Sequence, residues 1–205
     1  KKLTDVNQAL LDEIEVQPTH EIWFENPEGQ KIQGWYILPP NYEEGKQYPL
    51  ALNIHGGPHV MWTPSSPSIW HEWQSHAAAG YVVFYCNPRG SAGYGEEHQS
   101  AIRSNWGNVT MDDVMAGVDA MIAKGFVDES RMAITGGSFG GYMTAWIIGH
   151  TDRFVSAVPQ RGVYNISSFY GTSDVPRLMS AEFEVEPWEN PEKFWEHSPL
   201  AYAHN

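Results

Sequence analysis

Arg131-Met-Ala-Ile-Thr-Gly-Gly-Ser138-Phe-Gly-Gly-Tyr-Met-Thr-Ala-Trp-Ile-Ile-Gly149 decides how the chain is read. It opens as a buried strand over Arg131 to Thr135, turns on Gly136-Gly137-Ser138-Phe139-Gly140, and continues as an apolar helix from Phe139 to about His150. A serine two residues from a glycine on either side, in a strand–turn–helix setting, is the nucleophile-elbow pattern. The turn is tight enough to hold the serine in a strained backbone conformation, at a cost of about 1–3 kcal/mol. Glycines are needed there because a Cβ would collide across the turn. The strain lifts the Ser138 hydroxyl clear of the sheet and leaves the Phe139 amide unpaired at a helix N-terminus, where a negative oxygen could form.

Outward from the elbow, hydrophobic patterning gives strands that alternate with helices. Glu21 to Glu25 and Ile32 to Leu38 flank Asn26-Pro-Glu-Gly29 and read as an antiparallel hairpin. Pro49 to His55 is apolar on both faces, so it reads as a central strand. A helix from Ile69 to Ala79 ends at Gly80, and Tyr81 to Cys86 is a fourth strand. The next helix is expected over Met111 to Lys124, with Thr110 and Asp113 as its capping pair. Beyond the elbow helix, Phe154 to Val158 is a sixth strand, and residues 160–205 show short helical patterns broken by prolines. This is an α/β pattern: a mostly parallel sheet with helices on both faces.

Composition narrows the function. Lys and Arg number 12 against 25 Asp and Glu, for a net charge of −13. So acidic a surface repels phosphate backbones and anionic lipid, which disfavours nucleic-acid and membrane partners. The single cysteine, Cys86, cannot close an internal disulfide, which points to a reducing, cytoplasmic compartment. No apolar run approaches the ~18 residues of a membrane span.

His55-Gly56-Gly57-Pro58 leaves the C-terminal end of its strand, the edge of an α/β sheet where sites gather. The Gly57 amide paired with the Phe139 amide would form a two-donor oxyanion hole, each donor worth about 3–4 kcal/mol to a transition state. Other signals fail on geometry. His71 and His76 are five apart in a helix, so their rings stand roughly 140° apart and make no zinc pair. His55 and His59 are separated by Pro58 and are not a helical pair. Asn87 to Gly95 lacks Gly-Lys-Ser/Thr and reads as a turn beside the site, with Arg89 an ion-pair partner. Phe169, Tyr170 and Trp188 are candidates for a substrate pocket or for core packing. Neither a metal nor a cofactor is called for.

Gly-Gly-Ser-Phe-Gly-Gly-Tyr (136–142), His-Gly-Gly-Pro (55–58), Asn-Pro-Arg-Gly-Ser (87–91) and Phe-Tyr-Gly-Thr-Ser-Asp (169–174) resemble the prolyl oligopeptidase family of serine peptidases. The resemblance runs in family order from about residue 20, and His-Gly-Gly-Pro favours the acylaminoacyl-peptidase branch. It implies an α/β-hydrolase fold, incomplete at the C-terminus, with Ser138 as nucleophile and Gly57 and Phe139 as oxyanion donors. Residues 1–19 would be a connector similar to the exit of an absent β-propeller, and 20–205 the N-terminal part of the catalytic domain. The implied substrate is a short or acylated peptide. In this fold the order is serine, acid, histidine. Inside the chain that leaves Asp152 or Asp174 with His197 or His204, and neither acid sits on a loop after a strand's C-terminal end. The acid and base are therefore expected beyond Asn205, with Phe154 to Val158 left as an open edge that pairs with that segment or another chain. An esterase or lipase on the same fold, or a non-catalytic hydrolase module, are the alternative readings.

Overall fold

The structure is a computed structural model describing residues 3–205. Its six strands are β1 (Thr19–Glu25), β2 (Lys31–Ile37), β3 (Tyr48–Ile54), β4 (Val82–Asn87), β5 (Val127–Gly137) and β6 (Ser156–Gln160). They form one sheet in the order β1-β2-β4-β3-β5-β6. The hairpin partners β1 and β2 are antiparallel, β2 is antiparallel to β4, and the remaining pairs are parallel. The hairpin closes where expected: the Asn26 amide donates to Gln30, and Gly29 takes φ +80°.

Helices cover both faces. α1 (Gln8–Leu11) buries no residue, so the N-terminal stretch packs little against the rest. α2 (Trp70–Ala78) lies on one face over a small aromatic core of Trp35, Ile37, Trp73, Ala77, Val83 and Tyr85. Trp73 stacks on Tyr85 with ring centroids 3.7 Å apart. The opposite face carries the main core, which draws on β2 to β5, on α4 (Trp106–Ile122) and on α5 (Phe139–Ile148). Between β4 and α4 runs α3 (Glu96–Ser100), and α6 (Ile166–Thr172), α7 (Pro176–Phe183) and α8 (Pro191–Glu196) follow β6. The mostly parallel sheet with helices on both faces is the one the alternating pattern implied.

Three expectations need correction. α4 starts at Trp106, five residues before Met111, so Thr110 and Asp113 are interior positions and cap nothing. Asp113 is fully buried and is held instead by Arg89, whose Nε and Nη2 both donate to its carboxylate. The Arg89 backbone amide and the Asn26 side chain donate to it as well. The sixth strand is Ser156–Gln160, two residues later than Phe154 to Val158. The strand pattern also missed α3, which is five residues long and buries none of them.

β6 pairs with β5 alone among the described residues. The α2 face of β5 and β6 is also open: Ala133, Thr135, Ser156 and Val158 line a depression of about 260 Å³, and Val158 is 54% exposed.

Candidate active site at the elbow

The elbow forms because glycines allow two backbones to cross. A Cβ on Gly140 would stand 2.1 Å from the Ile54 carbonyl oxygen, and one on Gly136 would stand 2.6 Å from the same atom. Neither obstacle is a flexible side chain, so only glycine lets α5 start directly above the end of β3. Ser138 sits between them at φ 59° and ψ −119°, a conformation that L-residues rarely adopt. Its amide donates to the Gln160 carbonyl, and its own carbonyl accepts the first helical bond from Tyr142. The side chain is exposed, and its hydroxyl has no hydrogen-bond partner among the described residues.

The loop after β3 lies against this serine. A Cβ on Gly56 would be 3.2 Å from Ser138 Cβ and 3.8 Å from its Oγ. Gly57 adopts φ +125°, where a Cβ would also strike the His59 amide nitrogen at 2.7 Å. Neither the Gly57 amide nor the Phe139 amide donates a hydrogen bond among the described residues. Two unpaired N–H groups thus belong to the residue after Ser138 and to the residue after Gly56, which packs against it.

The loop is fixed from behind. His55 is 1% exposed, and its Nδ1–H donates to the Gly56 carbonyl at 2.7 Å. Nε2 lies 2.8 Å from Ser91 Oγ. Burial pushes the His55 pKa down to about 4, which outweighs the Gly56 contact that favours the charged ring. The imidazole is therefore neutral at pH 7 and serves as a scaffold, away from the serine.

A cavity of about 320 Å³ opens beside the elbow, lined by Asn53, Trp62, Glu72, Ser138, Gln160 and Arg161 among others. No sequence motif singles out Arg161 or Glu72 as cavity residues. Arg161 follows the C-terminal end of β6, and that position was the available signal. It takes φ +41°, and its guanidinium lies over Gly137.

The in-chain candidates for acid and base fall elsewhere. His197 packs its ring against Trp146 and Phe183. Burial and then Lys193 push its pKa down, and Trp146 is about 12 Å along α5 from the elbow. Asp152 lies beyond the far end of α5, beside His150 and Tyr202. Asp174 lies between α6 and α7. None of these, nor His204, lines the cavity at Ser138. Phe169, Tyr170 and Trp188 do not line it either; Tyr170 meets Trp188 edge-on at 5.8 Å.

With that geometry in hand, comparison with known proteins identifies the class. Residues 67–205 match the prolyl oligopeptidase family, Peptidase_S9, and the chain belongs to it. An uncharacterized peptidase, YuxL, of Bacillus subtilis is 43% identical across 100% of this chain and 31% of its own. Dipeptidyl-peptidase 5 of Schizosaccharomyces pombe is 35% identical over 90% of this chain and 28% of its own. Among solved structures, Pyrococcus horikoshii acylaminoacyl peptidase superposes with a TM-score of 0.90 at 30% identity, over 100% of this chain and 33% of its own. The chain thus spans about a third of the length of these relatives. Its sheet and helices form part of an α/β-hydrolase fold. No described helix is long and apolar enough to cross a membrane.

Proposed function

We propose that the protein carrying this chain is a serine peptidase that cleaves short or N-acylated peptides through an acyl-enzyme on Ser138. The observation that carries this reading is the exposed, unpaired Ser138 hydroxyl at a left-handed strand–helix turn, with the free Phe139 and Gly57 amides beside it. In the reading, Ser138 Oγ attacks the scissile carbonyl and gives its proton to a histidine, and the oxygen of the tetrahedral intermediate accepts from the two amides. Collapse expels the protonated amine, and water then releases the acyl group by the same steps. The acid and base belong to chain beyond residue 205, because no described histidine lines the cavity at Ser138. Residues 20–205 are then part of the catalytic domain, and 1–19 lead into it. The open edge and bare face of β5 and β6 are where that further chain, or a second copy, would pair. A cytoplasmic location rests on the lone buried Cys86.

The test is covalent. In the protein that carries this chain, an organophosphonate should label Ser138 and no other serine, and Ser138→Ala should abolish both labelling and peptide-anilide hydrolysis. A label mapped to Ser91 or Ser173, or equal labelling of Ser138→Ala, refutes the reading.

A further inference from the structure

The loop that carries Gly57 is held by two histidines, of which His55 faces inward. The second, His59, leaves the loop two residues after Gly57 and reaches across to other elements. Its Nδ1 lies 2.8 Å from the Gly90 carbonyl and its Nε2 lies 2.8 Å from Glu182 Oε1. A carbonyl and a carboxylate only accept, so both ring nitrogens of His59 face acceptors. Glu182 sits on α7, is 7% exposed, and accepts from Trp106 Nε1 through its other oxygen at 2.9 Å. Arg103 and Glu96 face the same polar hollow and are the other charged groups around the pair.

A carboxylate this buried is costly unless its oxygens are satisfied, and here the two donors are one ring on the loop and one deep in the core. Only Pro58, whose ring fixes its φ, separates Gly57 from His59, and the Val60 amide donates to the Pro58 carbonyl at 2.8 Å. Whatever anchors His59 therefore restrains the Gly57 peptide one residue further back.

We propose that Glu182 and His59 are positioning residues: the Trp106–Glu182–His59 chain ties the loop to α7 and holds the Gly57 amide aimed at the oxygen that develops charge. This rests on the reading of Gly57 as an oxyanion donor. Losing such a donor outright lowers kcat by about 10²–10³-fold, so letting it drift should cost a part of that.

The experiment is steady-state hydrolysis of a peptide anilide by the protein carrying this chain, with Ser138→Ala as reference. Glu182→Ala and His59→Ala should each lower kcat by about 10–100-fold and leave KM within about twofold, the signature of an interaction made in the transition state. The double variant should be no worse than the poorer single one, because both remove one tether. Glu182→Gln should retain activity within about threefold: its oxygen can accept from Trp106, and its amide can donate to Nε2 of a neutral His59. A merely structural carboxylate would not separate kcat from KM in this way. If Glu182→Ala fails to fold, His59→Ala, whose side chain is 26% exposed, gives the same readout. Wild-type kcat in a folded Glu182→Ala, or equal impairment of the Gln and Ala variants, overturns the inference and leaves the Ser138 reading standing. An active Ser138→Ala overturns both.

Discussion

Replacing Ser138 by glycine should make the protein more stable while destroying its activity. At φ 59° and ψ −119° the residue occupies the first central position of a type II′ turn, a region dominated by glycine. Holding a residue with a Cβ there costs about 1–3 kcal/mol. Ser138→Ala keeps the Cβ, and so the strain, and it loses no hydrogen bond, since the hydroxyl has none among the described residues. Ser138→Gly releases the strain but adds chain entropy to the unfolded state, which takes back about 0.4–1 kcal/mol. The midpoints leave the glycine variant about 1.3 kcal/mol more stable than the alanine variant. For a domain of this size that is about 3–5 °C in Tm. Differential scanning calorimetry of the two inactive variants, run side by side in the protein carrying this chain, isolates the term. A glycine variant that melts at or below the alanine variant would show that the elbow stores no strain.

Three further outcomes follow from the packing. The His55 pKa is about 4 in the folded chain against 6.5 when unfolded, so the unfolded state binds the extra proton between those values. Stability should therefore be level above pH 6.5, fall by on the order of 3 kcal/mol toward pH 4, and level off below. His55→Gln should lack this segment of the curve, and a wild-type curve that matches the variant's refutes the assignment. Asp113→Asn puts an amide donor among the Arg89 and Asn26 donors and leaves a buried guanidinium with only the exposed Glu28 carboxylate. Chemical denaturation should show a loss of about 3–5 kcal/mol, and a change under 1 kcal/mol would place the pair's role elsewhere. Residues 1–205 alone should turn over no peptide anilide and should associate through the free side of β6. A sedimenting monomer with a cooperative melt would contradict that association.

What could be read from the sequence was what local sterics dictate. The elbow needs glycine at 136 and 140 because backbone atoms of β3 lie within 2.6 Å of either Cβ, and a requirement that strict leaves a motif. The hairpin was legible because Asn26 to Gly29 closes its own turn. The start of α4 was misread because Thr110 and Asp113 have capping spacing, while Asp113 answers to Arg89, 24 residues away, and Asn26, 87 away. β6 was placed two residues early because Phe154 and Val155 carry strand propensity, although pairing to β5 runs from Ser156 through Pro159 to Gln160. His59 and Glu182 are 123 residues apart, and no spacing rule joins them. Long-range partners of polar residues were what the sequence withheld.

The aromatic core under α2 gives the cavity an optical reporter. Trp62 lines the cavity and meets His55, Trp73 and Tyr85 edge-on, with ring centroids 5.7, 5.1 and 5.9 Å away. An acyl group arriving on Ser138 would exchange water for carbon at one face of that indole while the other rings stay fixed. Its emission should shift in step with acylation, so a stopped-flow trace could time the chemical step without a labelled substrate.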